Sequence, residues 1–379
     1  MNTNFDKIRP YNEKETMEAV KKLFYDPKFI KELSIFEDKI NIQEWVKEVL
    51  RCKTRFEFHL TFADRVFNYF VGKTCTEVHY SGIENIDLNN QYLFIGNHRD
   101  IILDSTFLQT YYFKNGREAT LSAIGDNLIS TPLFVELARI HEMFIVQRSG
   151  TLKEKMNNTY LLSSFIHHSL FEEKKSVWIA QGNGRTKNGD DKTQQGLLKM
   201  LTFADTQNPF FALKQMKITP IAISYQFEPC AQLKARELAL SENSAYTKLP
   251  GEDTKSIIEG VTGFKGKVHF TIGKPLQDEF DMISPELSLN EKLSILCEQI
   301  DHQIYRNYFL FPQNYIAFDI QENSNRFASQ YSDKEKNDFI NHVNQQAILE
   351  DVCREKMMKF LLDIYANPVR NFNEFSKSV

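Results

Sequence analysis

Hydrophobic side chains in the first 80 residues recur every three to four positions, the spacing of one face of an α-helix. Two segments carry this pattern, residues 12–36 and residues 41–73. From about residue 285 onward the helical spacing returns. We therefore expect helices at both ends of the chain.

Between these ends, short apolar runs alternate with longer segments of helical spacing. The apolar runs predict strands at 77–82, 92–97, 120–125, 143–148, 176–181, 217–226 and 267–273. Helical spacing predicts helices at 101–114, 132–140, 151–173 and 194–206. This alternation is typical of an α/β protein with a mostly parallel sheet flanked by helices. Residues 230–260 are polar and contain Pro and Gly, which indicates a surface insertion.

The pattern predicts three regions along the chain. They are an N-terminal helical region (1–80), an α/β domain (81–280) and a C-terminal helical region (281–379). With 379 residues, 42% of them hydrophobic, the chain can bury a full core and exceeds one compact unit.

Composition narrows the class of protein. The formal net charge is −4, so no global basic field argues for a nucleic-acid partner. The five cysteines are scattered without a CxxC motif, which favours a reduced protein with no disulfide framework and no structural zinc site. We see no signal peptide and no run near the ~18–20 apolar residues that a spanning helix needs. These features predict a cytoplasmic protein, soluble or peripheral on the inner face of the cell membrane.

The segment from residue 53 to residue 73 has two interpretations. One face is apolar and the positions around it are basic: Phe56, Leu60, Phe67 and Phe70 against Lys53, Arg55, Arg65 and Lys73. Such a helix can pack on the main domain, or it can lie on a membrane surface with its aromatic side chains among acyl chains.

A polar cluster, residues 97–100, interrupts two apolar segments. His98 follows a predicted strand and precedes a predicted helix, at the edge where α/β sheets collect reactive groups. Asp100 is placed to cap the helix, and Asp104 falls where a carboxylate favours the helix dipole. Either carboxylate could also hold one nitrogen of the His98 ring and leave the other free as a general base.

Three more features follow along the chain. Arg148 ends a strand, and its guanidinium is a natural partner for phosphate. The strand at 176–181 opens into a loop that contains three glycines and the cations Arg185, Lys187 and Lys192, without the spacing of a Walker loop. The strand at 217–226 carries Pro220, which suits an edge or strand-start position.

In this order, the four features resemble the motifs of the glycerophospholipid acyltransferase family, which includes lysophosphatidic acid and glycerol-3-phosphate acyltransferases. The stretches NHRDIILD (97–104), SAIGDNL (122–128), SVWIAQ (176–181) and ISY (223–225) look like those of a bacterial branch. The resemblance covers most of the chain. It implies a glycerol-3-phosphate acyltransferase-like fold, with residues 81–280 as the acyltransferase domain.

The resemblance also implies roles for single residues. His98 corresponds to the family's base, which an acidic residue orients, as in a Ser-His-Asp triad whose serine is replaced by the substrate alcohol. Arg148 and the loop Gly184-Arg185-Thr186 correspond to phosphate contacts, and Pro220 to part of the acyl-binding wall. We also expect Asn97, Arg99 and Asn183 beside the substrate, and we add Lys187 and Lys192 for their charge alone.

Two positions depart from the family pattern. Five residues separate His98 from Asp104 where the family has four, and one extra helical residue turns a side chain by ~100°. Either the helix start is rearranged or Asp100 substitutes; we favour Asp104 because Asp100 already has a capping role. Asn183, preceded by Gly182, stands where the family's third motif begins with Glu, and an amide cannot supply that negative charge.

These observations lead to an expected activity. It is transfer of a fatty acyl group from acyl-CoA or acyl-carrier protein to a hydroxyl of lysophosphatidic acid, at a membrane surface, with no cofactor and no metal. The altered third motif keeps two alternatives open. One is acylation of another hydroxylated lipid, such as an aminoacyl lipid, and the other is a lipid-binding homologue with weakened or lost turnover.

Overall fold

A single seven-stranded sheet forms the centre of the molecule. The computed structural model describes residues 4–129, 131–242 and 246–378. The strands are β1 (Cys75–Ser81), β2 (Leu93–Gly96), β3 (Leu121–Gly125), β4 (Met143–Val146), β5 (Val177–Ala180), β6 (Thr219–Tyr225) and β7 (Gly266–Ile272). All seven correspond to predicted strands, and their ends differ from the predictions by at most two residues.

The sheet has the order β1-β7-β6-β2-β5-β3-β4. Every neighbouring pair is parallel except β6 with β7, so β1 and β7 run opposite to the other five strands. The predicted fold class, a mostly parallel sheet flanked by helices, is therefore confirmed. The carboxyl ends of β2 to β6 lie at one edge, which is where open α/β sheets bind ligands.

Seventeen α-helices are present among the described residues. The first seven are α1 (Glu13–Phe24), α2 (Pro27–Glu32), α3 (Ile42–Arg51), α4 (Arg55–Phe58), α5 (Asp64–Thr74), α6 (Leu103–Lys114) and α7 (Pro132–Ile140). The next five are α8 (Leu152–Phe171), α9 (Gln195–Leu201), α10 (Pro209–Gln215), α11 (Ala231–Ser241) and α12 (Glu252–Thr262). The last five are α13 (Gln277–Met282), α14 (Leu289–Arg306), α15 (Pro312–Gln321), α16 (Asp333–Gln346) and α17 (Arg354–Ser378).

Helices α1 to α5 form a bundle with a core of its own. A π-helical segment, His59–Ala63, joins α4 to α5. Of the four predicted apolar positions, Phe67 is buried, Phe56 and Phe70 are partly buried, and Leu60 is 40% exposed. Phe58 and Phe62 of the same segment are buried with Trp45. Arg55, one of the basic residues expected beside a membrane, is buried instead, with its Nε 2.6 Å from the carboxylate of Glu142 at the start of β4. These contacts agree with the packed-helix interpretation of residues 53–73.

The expectation of a surface insertion at 230–260 is wrong for α11, whereas residues 247–251 are exposed and residues 243–245 lie outside the described residues. Helix α11 buries Ala231, Ala235 and Ala239 in a cluster shared with the C-terminal helices. Lys234 is buried as well, because its ammonium group pairs with Glu228 at 2.9 Å. Small alanine side chains and a paired lysine give this helix a weak hydrophobic pattern although it lies inside the protein.

Helices precede the first strand and follow the last, as the hydrophobic pattern predicts for both ends of the chain. The division at residues 80 and 280 into separate domains stays a prediction. No helix in the described ranges combines the length and apolar character needed to cross a bilayer.

Candidate active site

Loops from four parallel strands meet at the carboxyl edge of the sheet and surround one cleft. His98 follows β2, Asn127 follows β3, Arg148 follows β4 and the glycine-containing loop follows β5. The cleft has a volume of about 510 Å³, and all of these segments line it. The topology therefore brings together residues that lie far apart in the sequence.

His98 and Asp104 form a hydrogen-bonded pair at the wall of this cleft. Nδ1 of His98 lies 2.8 Å from Oδ2 of Asp104, whose side chain is fully buried. The other ring nitrogen, Nε2, has no hydrogen-bond partner among the described residues, and the side chain is 12% exposed. An ionised Asp104 accepts from Nδ1–H, so the neutral ring keeps its lone pair on Nε2, on the side open to the cleft.

The five-residue spacing is accommodated by a turn before α6. Residues 99–102 are not helical, and α6 begins only at Leu103. Oδ2 of Asp104 accepts hydrogen bonds from the backbone N–H groups of Arg99, at 2.6 Å, and Asp100, at 2.9 Å. Because the chain wraps around this carboxylate instead of continuing as a helix, the ~100° rotation expected of an added helical residue does not occur.

Asp100 lies on the other side of this turn and does not contact the imidazole. Its Oδ1 accepts from the N–H groups of Ile102 and Leu103, at 2.8 and 2.7 Å, so it has the predicted capping role. Its Oδ2 is buried with no hydrogen-bond partner and faces Gly260 of α12. Burial, together with the nearby charge of Asp104, raises the pKa of Asp100.

Two aromatic residues contact the His98–Asp104 pair and fix its orientation. The hydroxyl of Tyr225, at the end of β6, donates to Oδ1 of Asp104 at 3.0 Å. Trp178 of β5 meets the His98 ring edge to face, with 5.5 Å between centroids. Neither residue is among the site residues that the sequence predicts. The only signal for Tyr225 is its place in the ISY stretch, two residues after the buried Ile223 on the same face of the strand.

Asn97 and Arg99 differ from their predicted role as substrate contacts. Both are buried, and both bind Oδ2 of Asp191 in the loop after β5, at 3.1 Å from Asn97 and 2.5 Å from Arg99. Asn97 also exchanges hydrogen bonds with the backbone of Ile223. Because neither side chain lines the cleft, we assign them to fixing the His98 segment against the neighbouring loop.

Arg148 and Arg185 both line the cleft and both lack an anionic partner. Neither side chain has an ion pair or a hydrogen bond among the described residues, although the backbone N–H of Arg148 donates to Asp126 at 3.3 Å. Nη1 of Arg185 is buried without an acceptor. A buried charged donor with no acceptor is costly, so this arrangement favours an anion in the cleft.

Most of the other residues predicted for the site lie in the loop after β5. The N–H of Thr186 donates to the carbonyl oxygen of His98 at 3.0 Å, and Gly184 adopts a positive φ of 96° beside it. Asn183 is exposed at the rim, where its backbone N–H donates to Gln194 at 3.0 Å. The ammonium group of Lys187 forms an ion pair with the carboxylate of Glu237.

Lys192 and Pro220 lie away from the cleft. The side chain of Lys192 is 67% exposed and pairs with Asp190 at 3.1 Å. Pro220 is buried in β6 opposite Ile95, and it lines neither the cleft nor the apolar cavity described below. Its position as second residue of the strand agrees with the predicted strand-start position, although β6 is an interior strand.

Residues of the C-terminal helical region hold the loop after β5 in place. Tyr305 in the last turn of α14 donates to the backbone carbonyl oxygen of Asp191, and Tyr308, two residues after the helix, donates to Oδ2 of Asp191, each at 2.7 Å. Asp301, also on α14, accepts from the N–H of Thr193 at 2.8 Å, and burial raises its pKa to about 7. At Gly189 a Cβ atom would lie 2.4 Å from the carbonyl oxygen of Ile364 on α17, so only glycine fits this approach.

A second, apolar cavity adjoins the cleft. It has a volume of about 450 Å³, and Ile124 and Leu128 line both spaces. Its other walls come from α5, α6, α7, α12 and the π-helical segment, through side chains such as Ala63, Phe134 and Ile257. Burial lowers the pKa of His59 to about 3 and of His141 to about 4, so both histidines in its lining are uncharged at neutral pH.

This arrangement suits a substrate that combines a hydroxyl group, an anionic group and an apolar chain. Nε2 of His98 can take the proton from that hydroxyl. In the part of the chain that the structure describes, no cluster of three or more His, Cys, Asp or Glu residues is placed to hold a metal ion.

Comparison with known proteins finds a family match in the central part of the chain. Residues 77–224 match the family model described as Acyltransferase. A search of curated proteins found no match. Among solved structures, the chain is similar to the crystal structure of the 1-acyl-sn-glycerophosphate (LPA) acyltransferase PlsC from Thermotoga maritima. The similarity has 10% sequence identity and a TM-score of 0.38, and it covers 75% of this chain and 95% of that one.

Proposed function

We propose that this chain, whose residues 77–224 form an acyltransferase domain, moves a fatty acyl group from a thioester donor to the hydroxyl of a lysophospholipid. Lysophosphatidic acid is the first candidate acceptor, and acyl-CoA or acyl-carrier protein is the donor. The observation that carries the proposal is the His98–Asp104 pair, open at Nε2, in the same cleft as two unpaired arginines.

The geometry supports direct transfer in one active site. The acceptor hydroxyl gives its proton to Nε2 of His98 as its oxygen attacks the thioester carbonyl carbon. The tetrahedral intermediate then collapses, the carbon–sulfur bond breaks, and the leaving thiolate takes the proton from the imidazolium ring. Asp104 holds the ring in the productive tautomer throughout, as the carboxylate does in a Ser-His-Asp triad. A positioned base of this kind contributes ~10²–10⁴-fold to the rate.

The unpaired arginines support an acceptor that carries phosphate. Arg148 and Arg185 both line the cleft, and a phosphate bound there would supply the acceptors that their N–H groups lack. Anchoring the phosphate would also hold the acceptor hydroxyl near Nε2, which lowers the entropic part of the barrier.

The apolar cavity supports a long acyl chain. Because Ile124 and Leu128 line both spaces, an acyl group whose carbonyl carbon lies at His98 can extend past these two residues into the cavity. Almost every residue around the cavity is aliphatic or aromatic, and its two histidines are neutral, so no charged group opposes burial of methylene groups.

Helix α8 supports a peripheral position on a lipid surface. Leu152, Met156 and Tyr160 form an exposed stripe at four-residue spacing, with exposed fractions of 84%, 66% and 51%. Lys153 and Lys155 are exposed beside this stripe, and Asn158 of the same helix lines the cleft. An apolar stripe with basic neighbours fits an anionic membrane, and it would place the cleft mouth where an amphiphilic acceptor resides.

The test is a transfer assay with purified protein. Labelled palmitoyl-CoA and palmitoyl-carrier protein are each incubated with lysophosphatidate, and phosphatidate is quantified by mass spectrometry. We expect product with at least one donor and a loss of ~10²-fold or more in His98→Ala, since the base is removed. His79→Ala, at an exposed position on β1, is the matched control and should retain full activity. Absence of phosphatidate from the wild-type enzyme with both donors would refute lysophosphatidate as acceptor.

The exposed Asn183 favours one alternative acceptor. Without the carboxylate of the third motif, the rim of the cleft presents an amide that can bind a polar headgroup by hydrogen bonds. A phosphate-free hydroxylated lipid, such as an aminoacyl lipid, is therefore the second acceptor to include in the same assay. Product from this acceptor alone would favour the alternative, and lipid binding without any product would favour a homologue that has lost turnover.

A further inference from the structure

A separate basic pocket opens beside the cleft. It has a volume of about 290 Å³ and shares Arg148, Asn183, Gly184 and Arg185 with the cleft. Its far wall comes from α11, α12 and the segment between them, which lie beyond residues 77–224. The wall is thus a part of this chain that the family match does not cover.

The lining of this pocket is strongly cationic. Seven basic residues and two acidic residues line it: Arg148, Arg185, Lys187, Lys234, Arg236, Lys248 and Lys255, against Glu237 and Glu252. Four of the cations are neutralised within the protein, because Lys187, Lys234, Arg236 and Lys248 have ion pairs. Among the described residues, no ion pair joins Arg148, Arg185 or the exposed Lys255 to an acidic side chain, although the charge of Arg185 also acts on Asp253, which pairs with Lys248.

The position of Lys255 distinguishes this pocket from a single phosphate site. Arg148 and Arg185 belong to both spaces, and one phosphate in the cleft would account for them. Lys255 lies on α12 and does not line the cleft, so such a phosphate leaves it unpaired. Cations gathered in a partly enclosed space repel one another, and a second anion would offset that cost.

We propose that the basic pocket binds a second phosphate group of one of the two substrates. The proposal rests on the acyltransfer reaction proposed above. The phosphate can come from the donor, since CoA carries a 3′-phosphate monoester, or from an acceptor whose headgroup has a phosphate monoester beyond the phosphate in the cleft. The shared chemistry is a phosphate dianion, held by Lys255 together with the arginines at the boundary with the cleft.

The test compares two charge reversals, Lys255→Glu and Lys47→Glu. Lys47 is an exposed lysine on α3 that has no ion pair among the described residues, so both variants change the net charge equally. We expect Lys255→Glu to raise a substrate KM by about tenfold with kcat nearly unchanged, while Lys47→Glu behaves as wild type. Equal KM values for the two variants with every substrate would overturn the proposal.

Substrate analogues identify the source of the phosphate. If the donor supplies it, the KM increase appears with palmitoyl-CoA and disappears with palmitoyl-dephospho-CoA, which lacks the 3′-phosphate. If the acceptor supplies it, the increase follows a lysophospholipid with a second phosphate and is independent of the donor. Either pattern supports the pocket.

Calorimetric titration with inorganic pyrophosphate separates this proposal from the proposed function, because it needs no turnover. We expect binding to wild type and to Lys47→Glu, and binding about tenfold weaker to Lys255→Glu. If no acceptor is acylated but this difference is present, the proposed function fails and the anion site remains. If acylation proceeds and the difference is absent, only the anion site fails.

Discussion

The carboxylate of Asp104 organises the whole segment NHRDIILD (97–104). It accepts two backbone N–H groups of the turn, the Nδ1–H of His98 and the hydroxyl of Tyr225. The turn therefore folds around the same group that orients the base. Asp100 is only two residues from His98 and is also a carboxylic acid, yet it only caps the helix start. Proximity in sequence does not decide which acid serves the histidine.

Replacing Asp104 by Asn should impair catalysis far more than folding. The amide oxygen can take the place of Oδ2 and its NH₂ group can donate to the Tyr225 hydroxyl, so the turn is kept, but the amide lacks the negative charge that stabilises the imidazolium ring when His98 takes up the proton. We expect kcat to fall by ~10²–10⁴-fold, the range for loss of a positioned base. The measurement is kcat for phosphatidate formation, beside a thermal melt.

Asp100→Asn is the matched control for this prediction. Its Oδ1 can still accept from Ile102 and Leu103, and the raised pKa of Asp100 means that the fold already disfavours a charge at this position. We expect kcat within about threefold of wild type, since the imidazole contact is untouched. Equal losses in the two variants would show that the acidic turn as a whole, rather than Asp104, orients His98.

Helix α12 contributes to three separate spaces although its sequence has no strong hydrophobic pattern. Asp253 lines the cleft, Lys255 the basic pocket and Ile257 the apolar cavity, so three successive odd-numbered positions face three different spaces. Only Ile257 and Val261 turn toward the apolar cavity, so the segment has few apolar positions and the polar composition of a loop. Strands β2 and β5 were predictable for the opposite reason, because they are buried on both faces and form continuous apolar runs.

Helix α8 should dock the protein on anionic vesicles. We expect wild type to sediment with vesicles of phosphatidylcholine and phosphatidylglycerol, and the double variant Leu152→Glu/Met156→Glu to lose this binding. Burying a large apolar side chain contributes roughly 1.5–3 kcal/mol, so losing two should weaken partitioning by tenfold or more. Quantitative co-sedimentation over a lipid titration measures the change.

Tyr25→Glu, at an equally exposed aromatic residue that follows α1, is the control for vesicle binding. We expect it to bind as wild type does. Activity of the double variant toward detergent-solubilised lysophosphatidate should also be retained, since the cleft residues are unchanged. Undiminished sedimentation of the double variant would assign membrane contact to another surface.

The whole molecule joins distant parts of the chain around one reaction centre. Tyr308 is 117 residues from Asp191, whose carboxylate it binds, and Gly189 packs against α17. Such partners leave no periodic signal, because in the sequence a tyrosine that binds a buried aspartate looks like any other aromatic residue. The fold class and the cluster around His98 could be predicted since both rest on local patterns. The support of the loop by the C-terminal helices could not.

The apolar cavity is another product of this assembly, and it should set the acyl-chain length. Ala63, from the N-terminal bundle, lines the wall, so Ala63→Phe should shorten the cavity. We expect kcat/KM for palmitoyl donors to fall about tenfold, a cost of ~1.4 kcal/mol, while hexanoyl donors stay within about twofold. Competition between labelled donors of different length measures this ratio directly.

Phe134→Ala tests the same cavity in the opposite direction. Phe134 contributes from α7 and is 38% exposed, so its truncation widens the cavity with little loss of core packing. Donors with longer acyl chains should then react faster relative to palmitoyl donors, because methylene groups that do not fit in the wild-type cavity can be buried in the variant. The hexanoyl rate reports on folding in both variants, since it needs an intact cleft and little of the cavity. If both variants kept the wild-type length profile, the acyl chain would have to lie elsewhere, and the N-terminal bundle would have no part in substrate selection.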